Sequence, residues 1–368
     1  MKAAVLREVG KPLEIETVAI GKPGPHEVLI RTKAAGVCHS DLHFVEGSYP
    51  HPLPAVLGHE SAGIVEAVGD EVRTVKVGDH VITCLSAYCG HCEVCLTGHM
   101  SLCVSPETKR PKGAEPRLFK EDLGGGQPGP MAQFLNLSSF AEMMLVHEHA
   151  CVAVRKDMPF DRAALIGCSV MTGVGAVMHT SKVRPGETVA VIGCGGVGLA
   201  TVNGAAIAGA GRIIAIDRVA SKLELARQFG ATDVIDAAAA GDDVVKIVQD
   251  MTGGGVHHSF EAIGLKVTAE QSFRMLRRGG TANIIGMIPV GTKIELHGPD
   301  FLGEKRIQGS FMGSNRFPVD MPRLVDFYMS GKLNLDALIS RRIKLEDVNS
   351  AFDELKRGEL ARSVIVFD

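Results

Sequence analysis

Residues 188–198, TVAVIGCGGVG, join an apolar run to a cluster of glycines, and few folds accommodate that junction. TVAVI is short, rich in β-branched residues and free of charge, which predicts a buried strand. Gly193, Gly195 and Gly198 stand at GxGxxG spacing, with Gly196 and Val197 between the last two, and GGVGLATVNGAAIAGA after the turn reads as a helix. The junction therefore predicts a strand, a tight turn and a helix whose first N–H groups are free to hold a pyrophosphate. Asp217 ends the next apolar run, RIIAID, 24 residues after Gly193. An acid there accepts ribose hydroxyls and repels a 2′-phosphate, which favours NAD over NADP. Arg218, its neighbour, pulls in the opposite direction.

The rhythm continues downstream. SKLELARQFG reads as helix, DVIDA as strand, DDVVKIVQDMTG as helix, HHSFEAIG as strand, VTAEQSFRMLRRGG as helix, and TANIIGM and KRIQGSF as strands. Such alternation predicts a doubly wound parallel sheet. The first 150 or so residues differ: AAVLREV, EVLIRTKAAGV, GHESAGIVEAVGDEV and VGDHVITC are strand-like runs punctuated by Gly and Pro. They predict a β-rich, barrel-like domain. Residues 104–133 are polar and dense in Gly and Pro and read as a long surface loop. The closing run ARSVIVFD reads as a strand that returns to the first domain.

Net charge is −3 and no basic run is interleaved with aromatics, so neither nucleic acid nor an anionic membrane is expected as a partner. Residues 188–211 are uncharged and long enough to span a bilayer, but seven glycines and Asn203 favour the strand–turn–helix reading. The N-terminus carries charges where a signal peptide needs apolar residues, so a cytoplasmic location is expected.

Of nine cysteines, four lie within fifteen residues: Cys89, Cys92, Cys95 and Cys103 in CGHCEVCLTGHMSLC. Four thiolates at this spacing can close on one tetrahedral zinc, leaving no position for water, which marks a structural site. A [4Fe–4S] cluster is the rival, disfavoured by the seven-residue gap before Cys103 and the absence of Pro after it. A catalytic metal site needs three ligands and an open position. Cys38 in CHSDLH, His59 in GHE and Cys168 in LIGCSVMTG are candidates, although spacing alone does not join them.

Taken together, GVCHSDLH, LGHESAGIVEAVG, the four-cysteine lobe, LIGCSVMTGVGA, GCGGVG with Asp217 and the closing strand resemble the zinc-dependent alcohol dehydrogenases of the medium-chain dehydrogenase/reductase superfamily. The resemblance covers essentially the whole chain and is nearest to the longer, usually dimeric branch. It implies an α/β chain with a β-rich domain: a GroES-like β-barrel catalytic domain (1–169 and 312–368) carrying both zinc sites, and a Rossmann doubly wound parallel sheet (170–311) binding NAD. It implies two zincs per chain. The catalytic zinc would be held by Cys38, His59 and Cys168. Glu60 matches a carboxylate behind the metal, and Asp41 the partner of the ligand histidine. Ser40 and His43 match the two ends of a proton relay that runs through the cofactor ribose. The cofactor would be touched by His39, Thr172, Lys222, Ile263, Ile285, Met287 and Arg362. Tyr49, Leu85, Phe134, Leu135 and Phe311 would line the substrate pocket together with Ser40 and Met287.

This lining is mostly apolar and implies a medium-sized primary alcohol, aliphatic or aromatic, oxidised reversibly to its aldehyde. The branch also includes glutathione-dependent formaldehyde dehydrogenase, whose glutathione carboxylates pair with an Arg and an Asp. Glu107 and Tyr49 occupy those positions here, which disfavours that substrate. Two other readings are open: an alcohol or formaldehyde oxidoreductase with a tightly held nicotinamide and an external acceptor, and a non-catalytic nucleotide-binding or structural protein on the same fold.

Overall fold

The computed structural model describes residues 1–110, 113, 115–120, 129–358 and 361–368. The chain divides into two units: Met1–Cys168 with Arg316–Met329 and Ile339–Asp368, and Ser169–Asn315 with Ser330–Leu338. Ser330–Leu338 groups with the second unit because Asn203 holds it there, accepting from the Asn334 N–H at 2.8 Å and donating to the Lys332 carbonyl at 3.3 Å.

The first unit is β-rich, as its punctuated apolar runs predict. Among the described residues, Lys2–Leu6, Glu14–Ile20, Leu118–Lys120, Pro130–Gln133 and Ala55–Val56 close a small barrel. A seven-stranded sheet is built around the long strand Glu27–Val37, which pairs antiparallel with Ser61–Val68 and Met143–His147. The closing strand Ser363–Val366 does return here, antiparallel to Glu27–Val37, with Ser363 opposite Val37. Its return brings Arg362 next to the residue that precedes Cys38.

The reading of 104–133 as one surface loop needs correction. Leu118–Lys120 and Pro130–Gln133 are strands of the barrel, and Pro106–Thr108 is a helical turn. Strands of three and four residues, LFK and PMAQ, are too short to stand out from the Gly and Pro around them. Residues 111, 112, 114 and 121–128 of that stretch lie outside the described residues.

The second unit is a six-stranded, all-parallel sheet among the described residues. From one edge to the other its strands are Asp233–Asp236, Arg212–Asp217, Thr188–Ile192, Val256–Glu261, Leu276–Ile284 and Arg306–Gly309. Chain direction across the sheet reverses between Thr188–Ile192 and Val256–Glu261, the switch point at which doubly wound sheets bind nucleotides. One boundary differs from expectation. The helix read over VTAEQSFRMLRRGG ends at Arg274, and the strand begins at Leu276, which pairs with Val256. Leu276 is buried in the sheet core, and that burial overrides local helix propensity.

The helix Phe160–Ser181 is apolar and long enough to cross a membrane, but 83% of its apolar window is buried within the protein, as in a core helix.

Candidate metal and nucleotide sites

Cys38 follows the strand Glu27–Val37 and caps the short helix His39–Val45, so CHSDLH opens as a helical turn. Asp41 lies inside that turn, wholly buried. Its carboxylate accepts the Cys38 and Gly58 N–H groups at 3.2 Å each and binds His59 Nδ1 at 2.8 Å. With Nδ1 so held, His59 Nε2 points the other way, 3.2 Å from Cys168 Sγ. Cys168 sits in a π-helical turn, Ile166–Val170, of the long helix, a distortion frequent at functional sites. The donor atoms of Cys38, His59 and Cys168 all lie within 4.8 Å of one another and all three residues are buried. Two thiols and an imidazole so disposed suit one zinc with an open fourth position. The Cys168 hydrogen bond holds the Cys38 thiol well below its ordinary range; burial opposes this, while the Arg362 charge and His59 add to it. A thiolate is the form that ligates metal.

Glu60 and Arg362 are an ion pair beside this centre, 3.6 Å apart and only 0% and 3% exposed. Arg362 also donates to the Val37 carbonyl at 3.2 Å. Gly36 makes room for the acid: a Cβ there would stand 2.8 Å from the Glu60 carboxyl carbon. The sequence reading passed over Gly36, because only the packed structure shows what lies above it.

Ser40 Oγ is 3.6 Å from Cys38 Sγ. His43 is half-buried one turn on, its ring 6.2 Å from that of Tyr49. His39 is exposed at the start of the helix. Phe134 is fully buried and packs edge-on to His59 at 6.0 Å. Leu135 and Leu85 are half-buried, and Asn136 joins them by donating to the Leu85 carbonyl at 2.8 Å. Leu135 is held at a left-handed φ of 45°.

The four-cysteine lobe is a separate centre. Cys89 and Cys95 Sγ are 4.0 Å apart, and Cys92 and Cys103 Sγ 3.8 Å. One tetrahedral ion with bonds of about 2.3 Å requires sulfurs about 3.8 Å apart. All four sulfurs lie within 4.8 Å of one another, too tight to enclose a cubane of four irons and four sulfides. The Cys89 and Cys92 N–H groups point at Cys103 and Cys89 sulfurs, at 3.3 and 3.4 Å, and so favour thiolates. The backbone at His91 is the largest influence drawing the Cys89 thiol down to about 6.

In the second unit Gly193, at φ +95°, turns the chain into the helix Gly196–Ile207. A Cβ on Gly198 would stand 1.7 Å from the Gly193 carbonyl oxygen, whereas one on Gly195 would meet nothing within 4 Å. Gly198 is thus required by packing and Gly195 borders open space, the arrangement a pyrophosphate cradle needs. Asp217 braces the turn, accepting the Cys194 N–H at 2.7 Å and the Val219 N–H at 3.0 Å. Thr172 is buried with its hydroxyl 3.7 Å from Met312 Sδ. Lys222, Ile285 and Met287 are half-buried, and Ile263 and Phe311 exposed.

Residues 24–156 match the model of the alcohol dehydrogenase GroES-like domain, and 196–329 that of the zinc-binding dehydrogenase. An S-(hydroxymethyl)glutathione dehydrogenase of Synechocystis sp. is 39% identical over 366 residues, 99% of either chain. The chain belongs to the zinc-dependent alcohol dehydrogenases of the medium-chain superfamily. Among solved structures, benzyl alcohol dehydrogenase from Acinetobacter calcoaceticus superposes with a TM-score of 0.92 at 34% identity, covering 100% of this chain and 99% of that one. An alcohol dehydrogenase zinc-binding domain protein from Burkholderia ambifaria also gives 0.92, at 36% identity, covering 100% and 98%. The chain is therefore an oxidoreductase of this zinc alcohol dehydrogenase family, with its GroES-like and Rossmann-type folds. The family uses zinc and NAD(P).

Proposed function

We propose that this protein oxidises medium-sized primary alcohols, aliphatic or aromatic, reversibly to aldehydes with exchangeable NAD and two zincs per chain. The carrying observation is the buried Cys38–His59–Cys168 cluster, with Asp41 orienting the histidine. When bound there, zinc supplies a Lewis acid that eases loss of the alcohol's hydroxyl proton, and NAD supplies the two-electron acceptor. Ser40 Oγ would accept the departing proton as its own hydroxyl proton leaves toward the relay, and half-buried His43 would release a proton to water at the relay's outer end. Asp41 keeps a proton on His59 Nδ1 and so presents Nε2 as a ligand. Arg362 neutralises Glu60, so the centre does not carry an unpaired buried carboxylate. Asp217 favours NAD through the charge it sets against a 2′-phosphate.

The apolar character of Leu85, Leu135 and Phe134 supports the alcohol class. The benzyl alcohol dehydrogenase fold-mate supports an aromatic member of it. The name of the Synechocystis relative favours a second reading, a glutathione adduct. Against it stand Tyr49 and Glu107, an exposed carboxylate 3.1 Å from His91, where an anionic substrate would need cations. Nine cysteines outside any disulfide, six of them in the two proposed zinc sites, support a reducing, cytoplasmic setting, and the longer-branch resemblance supports a dimer.

Steady-state kinetics on benzyl alcohol, hexanol, ethanol and S-hydroxymethylglutathione, with NAD and NADP, test the proposal. Best efficiency on benzyl alcohol or hexanol with NAD is expected; best efficiency on the glutathione adduct overturns it. Activity that persists after exhaustive dialysis without added NAD points instead to a retained cofactor. His43→Ala should lower turnover most near neutral pH and recover with added imidazole. Unchanged turnover removes His43 from the relay.

A further inference from the structure

Glu261 is a fully buried carboxylate outside the predicted sites. It is the last residue of the strand Val256–Glu261, paired with Ile192 at the switch point, one residue before the glycine turn. Its Oε1 accepts three hydrogen bonds, from Ile263 N–H at 3.0 Å, Gly264 N–H at 2.8 Å and Thr268 Oγ at 2.7 Å. Its carbonyl oxygen accepts two more, from Ile285 N–H at 2.9 Å and Gly286 N–H at 3.0 Å. The side chain thus holds the loop that follows its own strand, while the main chain, as any residue's would, meets the loop that follows the next strand. The loops are packed tightly onto their neighbours. A Cβ on Gly193 would stand 2.6 Å from Ile263, one on Gly264 2.5 Å from the Met287 carbonyl, and one on Gly286 2.6 Å from Glu261 Oε2. Among the described residues that second oxygen has no hydrogen-bond partner.

A buried acid without a cation is costly, and a fold that only needed a packed strand end would place an apolar side chain there. Burial pushes this carboxyl up, against the bonds from Thr268, Gly264 and Ile263. A buried group bonded through one oxygen to its own loop is consistent with a scaffolding task.

We propose that Glu261 is a positioning residue for the dinucleotide: its side chain sets loop 262–264 against the glycine turn and so shapes the nicotinamide half of the site. The assignment rests on the dinucleotide reading above. The adenosine half depends on a different support, Asp217 bonded to Cys194 and Val219. The two halves should therefore separate experimentally.

The test compares wild type, Glu261→Ala and Glu261→Gln, each checked for zinc content and thermal midpoint. Dissociation constants are measured for NADH and for ADP-ribose, which lacks the nicotinamide. Glu261→Ala should weaken NADH by about tenfold or more and leave ADP-ribose within about twofold. Glu261→Gln keeps an acceptor oxygen for the three donors and should bind NADH within about threefold of wild type. NADH affinity unchanged in Glu261→Ala overturns the inference, as does equal weakening of both ligands, or a Gln variant as impaired as Ala. Wild type that binds neither NADH nor NADPH overturns the dinucleotide reading, and this inference with it.

Discussion

Asp41 shows how much one side chain decides. Its buried carboxylate ties the start of its own helix to Gly58 and His59, and so to a segment some twenty residues away in the chain. Asparagine keeps the shape but loses charge and one acceptor. Asp41→Asn should reduce catalytic zinc affinity or activity by about 10–100-fold and leave the four-cysteine zinc in place. Metal analysis of the dialysed variant would show about one zinc per chain; two retained zincs with full activity would refute the role. Legibility at this scale was uneven. The metal donors are thiols and an imidazole in short motifs, which composition alone makes conspicuous. Gly36 and Glu261 carry no such signature. A glycine under a carboxylate and an acid at a strand end matter only through their neighbours, although an acid ending the strand-like run HHSFE was a signal that could have been weighed.

Among the elements, the four-cysteine lobe is the most autonomous. It holds its sulfurs at single-ion spacing through local N–H bonds and short helical turns. Cys103→Ser removes one of the four proposed ligands, so the lobe should lose its metal and the protein several degrees of thermal midpoint. NADH binding should be unchanged, because the nucleotide turn belongs to the other unit. Calorimetry and NADH titration on the same sample check both halves of this expectation. Continuous apolar runs punctuated by glycine, such as the strand Thr188–Ile192 and the helix Gly196–Ile207, were readable from sequence. Short ones were not. Leu118–Lys120 has three residues, too few for a period to emerge, and Leu276 became strand only because Val256 lies beside it.

On the scale of the molecule, Glu27 joins two layers of the first unit. It begins the long strand of the seven-stranded sheet, and its carboxylate binds Arg110 and Arg117, the latter one residue before the barrel strand Leu118–Lys120. Burial pushes the carboxyl up, but the Arg110 bonds, the Arg117 charge and the Gly24 N–H outweigh it and hold it at about 2. A depressed carboxyl contributes stability that is fully present above its ordinary value near 4.5 and is lost as pH falls through about 2. Glu27→Gln should therefore cost about 3 kcal/mol near neutral pH, and the gap from wild type should narrow below about pH 4. Chemical unfolding of both proteins at pH 7 and pH 3 measures it, and a gap independent of pH would refute the ion-pair account. By itself the sequence determined the parallel sheet, the glycine turn and the inventory of candidate metal donors, because apolar runs, glycine signals and ligand chemistry are local properties. Tertiary structure alone decided that Cys38, His59 and Cys168 meet and that Arg362 returns beside Glu60. It also placed Glu261 at the junction of two loops. These depend on which strands become neighbours, and that is settled by burial of distant apolar surfaces against one another rather than by any short stretch of chain.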